Sequence, residues 1–358
     1  MQRPHQLEPR RETARVLLAV KNFAAIKGVC HIGLGVTATN TQRVLRRAGY
    51  YCDVLAAQTT GELRTRLGQV QQQALARGEV MPTHVIISAP SWVQPEDFKL
   101  LALDHPDIEF VQLNHSGCAY LSIDKFGIRN IREISALSLE THNVRVAGNN
   151  PRFCHWMERT IGPCLQLPNL YDPETFVQPY PQRKNWGSVL RVGCFGAARP
   201  WKNQLLAAES AIELARTMGV QLEFHVNSKR PDGGERMIES RAELFDGMRD
   251  CRLVQVPWER WSTFRKTIAT MHLLYQPSFD ETFNVVTADG IAEGVASVTT
   301  SSIEWTPRQW WCDPCDPGDA TKVALHLLHD PYAVEDGRRS LRDYTANGLQ
   351  RWKDYLGT

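Results

Sequence analysis

The sequence is 358 residues long, 42% apolar and 22% charged, with a formal net charge of +2 at pH 7. That length exceeds what a single hydrophobic core usually serves, so two domains are expected, and the ordinary composition argues against extensive disorder. No apolar run approaches the roughly 18–20 residues that cross a bilayer, no secretory pattern opens the chain, and nine scattered cysteines fit reduced thiols in a cytoplasm.

Residues 1–12 are polar and irregular, and disorder is expected only there. Between Met1 and Gly78, twelve Lys/Arg stand against four Asp/Glu. Such an excess is either a solvated basic face or an attractor for a polyanion. Strand-like apolar runs at 15–20, 51–56, 84–89, 108–114, 144–147 and 164–167 alternate with helical patterns such as 39–48 and 62–77. Alternation of this kind predicts parallel α/β architecture.

The proline-bearing stretch 173–187 breaks the rhythm and reads as a linker. A second series follows, with strands at 190–195, 221–226, 252–256, 273–276 and 298–300 and a helix at 203–218. The stretch 334–355 reads as a charged helix broken near Gly348. The expected organisation is an N-terminal Rossmann-like domain over 1–172, the linker at 173–187, a second such domain over 188–333 and a terminal helix over 334–358. Two doubly wound domains with a cleft between them would take ligands at the carboxyl ends of their strands.

The most informative stretch runs from Gln276 to Gly294. It leaves a strand, turns at Pro277 and Ser278, presents Asp280 and Glu281, and goes into an amphipathic helix. First-turn N–H groups and the helix dipole suit a phosphate or a polar sugar. Glu281 and Asp289 are eight positions apart, about 12 Å along a helix axis. That separation would let two carboxylates hold hydroxyls at the two ends of an extended nucleotide sugar. The plainer alternative is a helix capped by Ser278 or Asp280 with solvated carboxylates.

Three further clusters stand out. The turn from Val192 to Asn203 carries Gly196 and two cations, Arg199 and Lys202, between a strand and its helix, where ligands often bind, although a lone loop cation is usually only solubilising. His115 follows the buried strand at 108–114 and is either a site residue or a satisfied structural histidine. Gly33 and Gly35, in the stretch 31–37, read as a cleft-lining loop or a plain left-handed turn. Cys312 and Cys315 lack a second pair, and no Asp-x-Asp motif occurs, so no metal is expected.

Pro277, Ser278, Glu281 and Phe283 together resemble the donor motif of GT-B glycosyltransferases, in particular the large retaining family (family four) related to glycogen synthases. Two positions depart from the pattern: Asp289 replaces the second glutamate, and Asn284 stands where glycine is usual. The resemblance implies that Glu281 binds the donor sugar, Asp289 the ribose, and the Thr282–Asn284 backbone the sugar or phosphate. It places Lys202 on the diphosphate and His115 against the sugar. Ala197 occupies the usual arginine position, so Arg199 is the substitute candidate.

The implied activity is retaining transfer of a hexose from a nucleotide-diphosphate sugar, UDP-sugar favoured, with no permanently bound cofactor. The family includes bacteriophage enzymes acting on hydroxymethylated DNA bases, and the basic N-terminal region suits that acceptor best. A saccharide or small-molecule acceptor, a nucleotide-sugar epimerase and a non-catalytic binding module remain alternatives. Oligomeric state does not follow from the sequence.

Overall fold

A computed structural model describes residues 14–21, 32–88, 92–177, 185–227, 230 and 232–357. In chain order the first elements are β1 (Arg15–Lys21), α1 (Ile32–Arg47), β2 (Tyr51–Ala57), α2 (Thr60–Arg77), β3 (His84–Ser88), α3 (Pro95–Asp104) and β4 (Glu109–Asn114). After a single helical turn at Cys118–Leu121 come α4 (Gly127–Glu140), β5 (Val144–Gly148), α5 (Pro151–Thr160) and β6 (Leu165–Gln166). These strands form one all-parallel sheet in the order β2-β1-β3-β4-β5-β6.

The second series is β7 (Val189–Cys194), α6 (Gln204–Met218), β8 (Gln221–Asn227), α7 (Glu235–Phe245), β9 (Cys251–Val256) and α8 (Trp261–Ala269). It continues through β10 (Leu273–Tyr275), α9 (Val285–Ala292), β11 (Ser297–Val298), α10 (Pro317–His329) and α11 (Ala333–Leu356). Its sheet is also all-parallel, ordered β11-β10-β7-β8-β9.

The local reason is visible in β1, where residues 16–20 are all apolar and all buried. A strand apolar on both faces must be covered on both, which in a parallel sheet is done by its crossover helices. The chain divides into two compact units. One comprises Met1–His115, Asp124–Leu170 and Asn347–Thr358; the other comprises Ser116–Ile123 and Tyr171–Ala346. Each holds one of the sheets and its own core. The architecture is the two-domain α/β one that the alternation predicts.

Several local expectations are corrected. Helix α1 starts at Ile32, so Gly33 and Gly35 lie in a helix rather than in a loop, and nothing stands within 4 Å of a Cβ placed on either. Neither glycine is needed for a positive φ or a close approach. Helix α11 runs unbroken through Gly348. A Cβ there would stand 2.9 Å from the Leu170 side chain and 3.3 Å from Pro168. That glycine serves close packing rather than a break, and packing outweighs its helix penalty of about 1 kcal/mol.

Residues 1–13, where the polar start falls, lie outside the described residues, as do 178–184 of the proline-bearing stretch. Within its described part, Pro173–Thr175 form a 3-10 turn capped by Asp172.

Candidate functional site

In the second sheet β7 is followed on one side by β8 and β9, while β10 and β11 lie on the other. The crossovers after β7 and β10 therefore diverge, and the carboxyl ends of those two neighbours form the topological switch point where open α/β sheets bind ligands. Both charged motifs predicted from sequence lie in the loops leaving these strands.

The loop after β7 is shaped by backbone conformations that few residues adopt. Gly196 has φ 121°, a value favouring glycine, and its N–H donates to Asn227 Oδ1 at 2.8 Å. Pro200–Lys202 make a 3-10 turn, and Asn203 closes it in the left-handed region at φ 55°. The Asn203 amide donates to the carbonyls of Pro277 at 3.2 Å and Pro314 at 2.7 Å. The Phe279 N–H donates to the Trp201 carbonyl at 2.8 Å. These bonds fasten the loop after β7 to the loop after β10.

Their result is an ion pair between Lys202 Nζ and the Glu281 carboxylate, with side chains only 15% and 14% exposed. Glu281 is further positioned by Asn284, whose amide donates to it at 3.2 Å and to Gln276 Oε1 at 3.1 Å. The Thr282 N–H donates to Glu281 Oε1 at 3.3 Å. Asn284, at φ 63°, is also the N-cap of α9, accepting the Thr287 N–H at 2.9 Å. Helix α9 thus begins at Val285, after Glu281 rather than before it. Four of the eight steps between Glu281 and Asp289 are turn, so the two carboxylates do not lie along the single helix axis that their spacing predicts.

Phe283 is buried beneath the site and packs on Trp305 and Tyr344, with centroids 5.4 and 5.5 Å away. Its carbonyl accepts the Trp305 indole N–H at 2.5 Å. Trp305 and Trp310 are both core residues.

Asp289 is separated from solvent altogether, at 1% exposure. One oxygen accepts from the Tyr171 hydroxyl at 2.6 Å and the Trp261 indole at 2.9 Å, while Oδ2 is buried with no hydrogen-bond partner. Burial raises its pKa to about 6, against the lowering effect of the two donors. Arg199 does not bring a free charge toward Lys202. It pairs with Asp232 at 2.9 Å and lies over the rings of Tyr120, at 4.9 Å, and Trp201, at 5.9 Å. Arg230 shares Asp232 at 3.3 Å.

His115 belongs to the first unit. It shares a small pocket with Thr37, Thr41, Ser88, Asn169 and Trp352. Its Nδ1 is 3.4 Å from the Asn149 amide. Burial lowers its pKa to about 4, opposed by a hydrogen bond with Asn169, so the ring is neutral at physiological pH.

The structure therefore joins Lys202, Glu281, Thr282 and Asn284 in one cluster, and leaves Asp289 beneath it and Arg199 turned to Asp232. Sequence reasoning missed Tyr171, Trp261 and Asp232, which carry no motif and reach their partners only through tertiary packing. Among the described residues no group of three or more His, Cys, Asp or Glu is placed to hold a metal ion, and no helix is long and apolar enough to cross a membrane.

No protein-family model matches the sequence, and no curated protein sequence matches it. Solved structures do. Sucrose-phosphate synthase from Thermosynechococcus elongatus superposes with a TM-score of 0.63 at 14% identity, over 95% of this chain and 98% of that one. The catalytic domain of starch synthase IV from Arabidopsis thaliana, bound to ADP and acarbose, gives 0.62 at 11% identity, over 97% and 100%. An alpha-glucosyltransferase in complex with UDP-glucose and DNA containing an abasic site gives 0.63 at 12% identity, over 97% and 100%. At these identities the likeness establishes the fold, which is GT-B.

Proposed function

We propose that the protein is a retaining glycosyltransferase that moves a hexose from a nucleotide-diphosphate sugar, by preference a UDP-sugar, to an acceptor hydroxyl. The observation that carries this reading is the Lys202–Glu281 pair at the switch point of the second sheet. A lysine there offsets the negative charge that builds on a diphosphate as the glycosidic bond breaks. The neighbouring carboxylate, aimed by Asn284, accepts hydrogen bonds from sugar hydroxyls. On binding, the diphosphate takes over Lys202 and releases Glu281 to the sugar. Three GT-B neighbours with sugar-transfer names support the activity, and ADP and UDP-glucose in two of them support the donor class. In this reading the domain after the 173–187 stretch carries the donor and the domain before it carries the acceptor.

The proposed specific acceptor is a hydroxymethylated base in DNA. One neighbour was solved with DNA, and the N-terminal region is rich in Lys and Arg. Part of that excess is neutralised locally: Arg15, Arg46, Arg64, Arg66 and Arg77 all pair with carboxylates of their own unit. A saccharide acceptor is favoured by the acarbose-bound neighbour.

Incubation with UDP-glucose and either hydroxymethylcytosine DNA or a maltooligosaccharide, with transferred label counted, separates the two acceptors. Transfer to DNA alone, weakening steeply with salt, is expected. Transfer to the saccharide alone excludes the DNA reading. Binding without turnover on any acceptor leaves a sugar-nucleotide binding module, and conversion of the donor sugar without an acceptor identifies an epimerase.

A further inference from the structure

The helical turn at Cys118–Leu121 lies in the unit that carries Lys202 and Glu281. Its N-cap is Gly117, which has no side chain and makes no side-chain cap bond. The missing acceptor comes from 161 residues further along the chain: Asp280 Oδ2 accepts the Ala119 N–H at 2.7 Å. A carboxylate suits that place both as a cap and as a charge against the turn's dipole. A Cβ on Gly117 would overlap the Asp280 carboxylate, so only glycine lets the two approach.

A second tie holds the same turn. The Tyr120 ring meets Trp201 edge-on at 6.1 Å and lies under the Arg199 guanidinium at 4.9 Å. Asp280 immediately precedes Glu281, and Trp201 immediately precedes Lys202. The turn is therefore fastened to both charged loops, each time at the residue next to the charged group.

From this geometry we infer that Asp280 is a positioning residue for transfer, capping the Cys118–Leu121 turn so that it clamps the loops of Lys202 and Glu281 in their working register. The inference rests on the glycosyltransferase reading of that pair. Asp280 meets the Ala119 N–H, and the register of Lys202 and Glu281 matters most as charge builds on the leaving diphosphate, so its removal lowers kcat much more than UDP affinity. Small displacements of groups that act on the transition state are expensive in rate.

The test compares D280A, D280N, G117A and G117A/D280A with wild type, reading the dissociation constant for UDP by calorimetry and kcat for UDP release from UDP-glucose. Loss of a charge-assisted hydrogen bond predicts a fall in kcat of about ten- to a hundredfold for D280A, with UDP affinity within about twofold of wild type. D280N retains an acceptor oxygen and recovers most of the rate. G117A falls at least as far as D280A, and the double variant is no worse than D280A because the overlap is gone.

Wild-type turnover in D280A, a parallel loss of UDP affinity, or no rescue by D280N would each overturn the inference. A wild-type protein that neither binds UDP nor turns over UDP-glucose counts instead against the glycosyltransferase reading. In that event amide hydrogen exchange at 118–121 decides the contact alone, with exchange at least about tenfold faster in D280A expected and unchanged exchange refuting it.

Discussion

Asn284 holds Glu281 and starts a helix with the same side chain: its Nδ2 donates to Glu281 Oε2 at 3.2 Å while its Oδ1 accepts the Thr287 N–H at 2.9 Å. It makes both bonds with its backbone at φ 63°, where asparagine is tolerated better than most other non-glycine residues. Asparagine at this position thus supplies both a cap and an orienting group.

Replacement of this residue separates those roles. N284A loses the cap and is strained at positive φ, so it is expected to lower stability by about 2 kcal/mol in urea unfolding. N284G keeps the backbone and should lose under about 1 kcal/mol. Both variants should turn over UDP-glucose more slowly, since Glu281 loses an orienting donor in each. Equal stability of the two would remove the conformational argument.

The Lys202–Glu281 pair is shielded enough that truncating one partner strands the other. K202A is expected to lose about a hundredfold or more in kcat, the usual consequence of removing one group that stabilises developing charge. E281A should also lose turnover. In stability, the double variant should be less impaired than the sum of the singles, by about 1–3 kcal/mol in a denaturation cycle. Strict additivity would show that the pair is not formed in solution.

Asp289 links stability to pH in an unusual direction. Its pKa in the fold is raised to about 6 from an ordinary value of 3.8, so between those values the folded state binds more protons than the unfolded one. Its contribution therefore improves as pH falls through about 6 and worsens as pH rises. Relative to D289N, wild type should gain on the order of 1 kcal/mol between pH 7 and pH 5. Paired melting curves at the two pH values check the sign.

His115 behaves oppositely. With a folded pKa near 4 and an ordinary value of 6.5, its contribution is intact above pH 6.5 and is lost as pH falls toward 4. Wild type should lose about 2 kcal/mol relative to H115N between pH 7.5 and pH 5. Since the imidazole stays neutral across that range, the activity profile should show no His115 limb between pH 5 and 8. A limb abolished by H115N would contradict the buried, neutral ring.

Much of this was legible in the chain alone. Strand positions follow from local apolar runs, and so does the placement of a lysine loop and a carboxylate loop each just after a strand, although only the adjacency of β7 and β10 brings the two together. Residue type and short-range spacing determine those features, because hydrophobic periodicity and turn chemistry act over a few residues. Gly348 shows where such reasoning stops: the glycine that locally signals a break is retained because Leu170 and Pro168, far back in sequence, leave no room for a side chain.

Tertiary structure alone decided the rest. Asp289 looks in sequence like a ligand-facing carboxylate, but Tyr171 and Trp261 reach it from 118 and 28 residues away and enclose it. Arg199 looks like a free cation until Asp232 meets it, and Asp280 looks like a local cap until Ala119 does. Burial and charge pairing depend on which distant segments the two sheets bring together. No local pattern encodes those meetings, which follow from the order of the strands within each sheet, whereas the strands themselves are legible along the chain.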